Sequence, residues 1–86
     1  MPEKLVGKVS HYFDKVGVAV LSLSHDIKIG DEIHLVGHQA DFTQKVESMQ
    51  IEHKQVSQAK AGDDIGLKVE QKIKPGTEVY LVEPQD

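Results

Sequence analysis

Apolar and polar residues alternate with a period of two along most of the chain, the spacing of extended strands with one covered face. The first such stretch runs from Leu5 to Phe13, with Leu5, Val9 and Phe13 on one parity and Lys8, Ser10 and Tyr12 on the other. Asp14-Lys15 predicts a short turn. Val16 to Leu23 is apolar at nearly every position, which predicts a strand covered on both faces or bent so that its faces exchange. After the polar break Ser24-His25-Asp26, the segment Ile27-Lys28-Ile29-Gly30-Asp31 leads into a tight turn where glycine supplies a positive φ. Glu32 to Val36 predicts the next strand, closed by Gly37-His38-Gln39-Ala40-Asp41.

From Phe42 a long strand is expected, but Phe42 and Val46 are even-numbered whereas Met49 and Ile51 are odd. A bulge near Glu47-Ser48 accounts for the exchange of faces. Val56 to Ala59 reads as a short edge segment. Ile65, Leu67 and Val69 alternate with Asp64, Gly66 and Lys68, and Val79 and Leu81 alternate with Tyr80 and Val82 after the turn Lys74-Pro75-Gly76. Gly66, inside an apolar strand, is expected to mark a close backbone approach, so that Gly66→Val disturbs the fold more than Gly7→Val. Glu52 to Lys60 is the best helical candidate, yet its apolar residues are too sparse for an amphipathic face. No internal repeat or linker is evident. The pattern predicts an all-β fold, a small closed antiparallel β-barrel of six or seven strands over residues 5–82, with short tails at 1–4 and 83–86.

Composition excludes several classes of function. The 86 residues suffice for one domain, and 38% apolar with 28% charged content argues against disorder. Cysteine is absent, so disulfides, thiolate metal sites and thiol nucleophiles are excluded. No run approaches the roughly 20 apolar residues of a membrane span, and no leader-like segment opens the chain, so a cytoplasmic location and no membrane partner are expected. The net charge is −4, and every cationic side chain is lysine, so the planar fork with which arginine grips phosphate is missing.

Candidate chemistry is sparse. His11, His25, His34, His38 and His53 fall in different predicted elements, which leaves no coherent ligand set and no metal expected. Asp31-Glu32 and Asp63-Asp64 sit beside glycines in predicted turns, where aspartate serves local hydrogen bonding. Ser22, Ser24 and His25 lack the strand–elbow–helix setting of a serine nucleophile. No Gly-x-x-x-x-Gly-Lys-Ser/Thr loop occurs, so no nucleotide hydrolysis is expected. Strand alternation points Lys8, Lys45 and Lys68 outward, where they offer a face to RNA if they converge; His11-Tyr12-Phe13 is an aromatic cluster able to stack on a base or to plug a barrel end.

The signature Ala59, Gly62, Asp63, Gly66, Leu67, the Gly30-Asp31 turn, and Val46 with Met49 together resemble the second domain of the translational GTPases, the β-barrel that follows the G domain in elongation factor Tu. That resemblance implies a non-catalytic binding module, with no cofactor, docking on RNA, the ribosome or a protein partner in protein biosynthesis. Similar barrels are appended to unrelated enzymes, so the alternative is an accessory subunit packing on an enzyme such as a collagenase-like peptidase. Glu47-Ser48-Met49-Gln50-Ile51-Glu52-His53 is also similar to the biotin-attachment hairpin of carrier domains. Gln50 stands there at the modifiable position, which makes that alternative a degenerate relative lacking the lysine. Oligomeric state is left open.

Overall fold

The computed structural model describes residues 3–37 and 40–82, and these form strands and turns without helix. The strands are β1 (Glu3–Phe13), β2 (Val18–Leu23), β3 (Ile27–Lys28), β4 (Glu32–Gly37), β5 (Ala40–Lys45), β6 (Met49–Ile51), β7 (Lys54–Val56), β8 (Gln58–Ala59), β9 (Asp64–Lys68) and β10 (Glu78–Val82). Eight of them make one antiparallel sheet in the order β5-β4-β10-β1-β2-β9-β6-β7, and β3 pairs with β8. The all-β reading therefore holds, but the sheet is not closed: β5 and β7 lie at its two ends and no ladder joins them. The sheet curls instead. Gln44 of β5, almost fully buried, donates from Nε2 to the Lys68 carbonyl at 2.9 Å and accepts from the Glu70 amide at 2.8 Å, so one end of the sheet meets the chain leaving β9 through a side chain.

The inner faces enclose a core of small and medium aliphatic residues. Val6, Ala19, Leu21, Ile33, Leu35, Met49, Leu67 and Val79 are all fully buried. Burial of one such side chain contributes about 1.5–3 kcal/mol, which is how a chain of this size supports a domain.

The expected bulge at Glu47-Ser48 is not there. β5 ends at Lys45 and pairs with β4, whereas β6 starts at Met49 and pairs with β9 and β7. Residues 46–48 carry the chain from one end of the sheet toward the other, and both Val46 and Met49 are buried because Val46 lies in this connection, bonded to Gly30 and Asp31, whereas Met49 opens the next strand. The register shifts occur in β1, between Leu5 and Gly7 against β10 and between Val9 and His11 against β2. Each exchanges the faces of the strand. In consequence Leu5 and Phe13, inward by simple parity, are 44% and 54% exposed, while Val6 is buried.

The same shifts reverse the expected roles of two glycines. A Cβ on Gly7 would stand 2.6 Å from the Ser22 carbonyl oxygen and 2.8 Å from Leu21 Cδ1, whereas one on Gly66 would meet only Val18 Cγ1, at 3.2 Å. Gly7 is the close approach. Gly66 leaves a trough on the outer surface.

A seven-residue unit does recur, three times: Ile27-Lys28-Ile29-Gly30-Asp31-Glu32-Ile33, Ala59-Lys60-Ala61-Gly62-Asp63-Asp64-Ile65 and Ile73-Lys74-Pro75-Gly76-Thr77-Glu78-Val79. In each, the glycine has φ of 95°, and the residue after it donates its amide to the lysine carbonyl, at 3.1, 3.0 and 3.2 Å. This is a type II turn, with glycine where φ must be positive and, once, proline just before it. Asp31 and Asp63 each accept from the amide of their own lysine at 3.0 Å, and Thr77 donates to the Lys74 carbonyl at 2.6 Å. The first and last positions of each unit are buried, so the turn delivers a β-branched residue into the core at the start of β4, β9 and β10.

Candidate docking surface

The outer surface over β2, β9 and β6 carries an apolar groove of about 480 Å³. Its floor follows from strand register: Val20 pairs with Gly66, which pairs with Gln50, and the missing side chain between them makes the trough. Phe13 at the end of β1 and Val16 in the following turn wall one side, at 54% and 57% exposed. That turn is held by the Gly17 amide donating to the Phe13 carbonyl at 2.9 Å. The rim opposite is the hairpin turn Glu52-His53, with φ of 51° and 66°. Ile51 pairs with Lys54 across it, so this is a two-residue turn of the primed kind, which favours asparagine and glycine. Glutamate and histidine hold it with strain. Lys68 braces the Val16 wall from outside the groove, its Nζ donating to the Val16 carbonyl at 3.3 Å.

The residues singled out from the sequence are not gathered in one place. His11 and Phe13 project outward with ring centroids 6.5 Å apart, but Tyr12 turns to the other side and packs against the core. Of these residues Phe13 lines the groove. The curl of the sheet brings Lys45 and Lys68 close in the main chain, since Gln44 Nε2 lies 2.9 Å from the Lys68 carbonyl and 3.5 Å from that of Lys45. Lys8 stands apart on β1, paired with Glu78 and Ser22, with β2 between it and β9. The three lysines do not form one cluster. Sequence reasoning missed Val16, Val18, Val20 and the Glu52-His53 turn. The signal was the nearly continuous apolar run from Val16 to Leu23, whose even-numbered valines face out.

A second cluster lies on β4. His34 Nδ1 is 2.9 Å from Glu3 Oε2, and its Nε2 is 2.5 Å from Asp41 Oδ1. The bond to Asp41, then that to Glu3, raise its pKa above the usual histidine value, against a smaller opposing effect of burial. Tyr80 donates to Glu78 at 3.1 Å, which raises the phenol's pKa. Among the described residues no group of three or more histidines and carboxylates is arranged to hold a metal ion. His25 faces the Asp26 carbonyl at 2.9 Å and no serine hydroxyl, and Ser22 donates to Asp64. His38 lies outside the described residues. No helix among the described residues is long and apolar enough to cross a membrane.

The comparisons point to proteolytic enzymes. The chain is 41% identical over 78 residues to an uncharacterized protease of Methanocaldococcus jannaschii, covering 90% of this chain and 19% of that protein. It is 34% identical over 83 residues to a collagenase of Porphyromonas gingivalis, covering 94% of this chain and 23% of that protein. The chain thus spans about a fifth of the length of the curated relatives it matches. Two crystal structures of the C-terminal domain of a Geobacillus thermoleovorans protein assigned to the U32 peptidases superpose with TM-scores of 0.83 and 0.85. Their identities are 23% and 22%; the first match covers 88% of this chain and 96% of that domain, the second 93% of each. The fold is that of a U32 peptidase C-terminal domain. No protein-family model matches the chain.

These findings overturn the resemblance to translation-factor domain 2, and with it the RNA, ribosome and protein-biosynthesis reading. The Gly-Asp turns that carried it are turn chemistry. The three repeated units show how a strand is started in this sheet, and any fold that starts strands in this way acquires the same residues.

Proposed function

We propose that the chain is a non-catalytic accessory domain of a U32-type peptidase and that its outer groove docks on the catalytic part of that enzyme. The carrying observation is the span of the match: nearly all of this chain aligns with about a fifth of two proteases, leaving about four fifths of each to hold catalytic residues. The groove has the anatomy of a protein contact, with an aromatic side chain and valines along one wall and floor and the polar residues Gln50, Glu52 and His53 on the other side.

The test is isothermal titration of the purified domain with the catalytic part of its U32-type peptidase, prepared separately, alongside peptide-hydrolysis assays of the domain alone. Saturable one-to-one binding, weakened at least tenfold by Phe13→Ser with Val16→Ser, is expected; that loss corresponds to about 1.4 kcal/mol, modest for two buried anchors. Peptide hydrolysis by the domain alone, or binding indifferent to the double substitution, would overturn the proposal.

A further inference from the structure

Away from the groove, one histidine is gripped by acids from two other strands. His34 sits on β4; Glu3 is at the start of β1, reached across β10, and Asp41 is on the edge strand β5. A neutral imidazole has one N–H and one bare lone pair, so it can donate to only one of two carboxylates. Only the imidazolium donates to both. We propose that His34 is a proton-operated clasp: as imidazolium it ties β1 and the edge strand β5 to β4, and on losing its proton it lets go of Asp41.

The order of release follows from solvent access. The Asp41 side chain is 74% exposed and takes water readily, whereas that of Glu3 is 34% exposed and keeps the remaining N–H. Other groups on this face set the field around the ring: Glu32 on β4, two residues away; Tyr80 on β10, directly opposite His34, with its partner Glu78; Lys45 on β5, paired with Glu32; and Lys8 on β1, paired with Glu78. Acids outnumber lysines, which favours the charged ring. The raised pKa of His34 agrees with this arrangement.

The consequence is a pH-dependent hold on the β4–β5 hairpin. Because β5 has a partner on one side only, its amides are shielded by a single ladder, and loss of the Asp41 tie reaches them directly. The clasp is independent of the docking proposal, since the groove lies over β2, β9 and β6.

Two measurements on the intact chain test it. Nuclear magnetic resonance titration of the His34 ring should show both nitrogens protonated at pH 6 and an apparent pKa above 6.5. Hydrogen exchange at β5 amides, corrected for the intrinsic dependence on pH, should accelerate several-fold as pH passes through that pKa. Asp41→Asn, at an exposed position the fold tolerates, should lower the His34 pKa and remove the step. A wild-type pKa at or below 6.5, a flat corrected exchange profile, or an Asp41→Asn variant that keeps both features would overturn the clasp.

Discussion

Replacing Gly7 by alanine probes the tightest backbone approach between β1 and β2. The added Cβ would lie 2.6 Å from the Ser22 carbonyl oxygen and 2.8 Å from Leu21 Cδ1, both well inside van der Waals contact. The oxygen cannot swing away, because it belongs to the main chain of β2, and Leu21 is fully buried among core neighbours. Forcing an atom into such a site costs about 1–3 kcal/mol. Alanine also restricts the unfolded chain, which offsets about 0.4–1 kcal/mol. The net loss is then about 1–2 kcal/mol. For a domain of this size each kcal/mol moves the melting temperature by about 4–8 °C, so a fall of about 4–16 °C is expected. Gly66→Ala is the control, since its Cβ meets only the tip of Val18 at 3.2 Å, and it should stay within about 0.5 kcal/mol of the parent. Urea and thermal unfolding followed by circular dichroism give both values. A Gly66→Ala variant as destabilised as Gly7→Ala would refute the assigned register of β1.

Gln44→Leu removes the side chain that joins β5 to the chain after β9 and leaves the Lys68 carbonyl and Glu70 amide unpaired; a loss of about 1–3 kcal/mol in urea unfolding is expected. Glu52→Asn with His53→Gly places the residues suited to positive φ in the strained hairpin, and should raise stability by about 1 kcal/mol, read as a higher urea midpoint at unchanged slope. His34 has a folded pKa raised above 6.5, so its contribution to stability is complete below pH 6.5 and is lost as pH rises through the folded value. Stability measured from pH 5.5 to 8.5 should decline across that window in the parent and decline less in Asp41→Asn.

Much of the fold was legible because turn chemistry and alternation are local. Gly30, Gly62 and Gly76 mark turns and stand in them with positive φ, and Ile65-Gly66-Leu67 alternates as a half-covered strand should. The errors share one cause. Parity assumes an uninterrupted ladder, and the shifts at Leu5/Gly7 and Val9/His11 depend on partners far away in sequence. The passage from β5 to β6 looks like a bulge from sequence for the same reason: a change of parity records that the inward face has moved, and not whether the strand has also changed neighbours. The groove was legible only in part. Phe13 stood out as an aromatic, but the valines beside it read as core until β2 was seen to cover one face and leave Val18 and Val20 half exposed. The His34 clasp joins residues 31 and 7 positions apart, a pairing that no local pattern signals.

The central claim is that this domain acts by docking on a peptidase through the groove bordered by Phe13 and Val16. The most direct measurement is the change in amide chemical shifts of the labelled domain when the separately prepared catalytic part of its U32-type peptidase is added. The account predicts perturbations confined to Phe13, Val16, Val18, Val20, Gln50, Gly66 and the Glu52-His53 turn, and their disappearance in the Phe13→Ser, Val16→Ser variant. Perturbations centred elsewhere, or none at saturating concentration of the catalytic part, would contradict it.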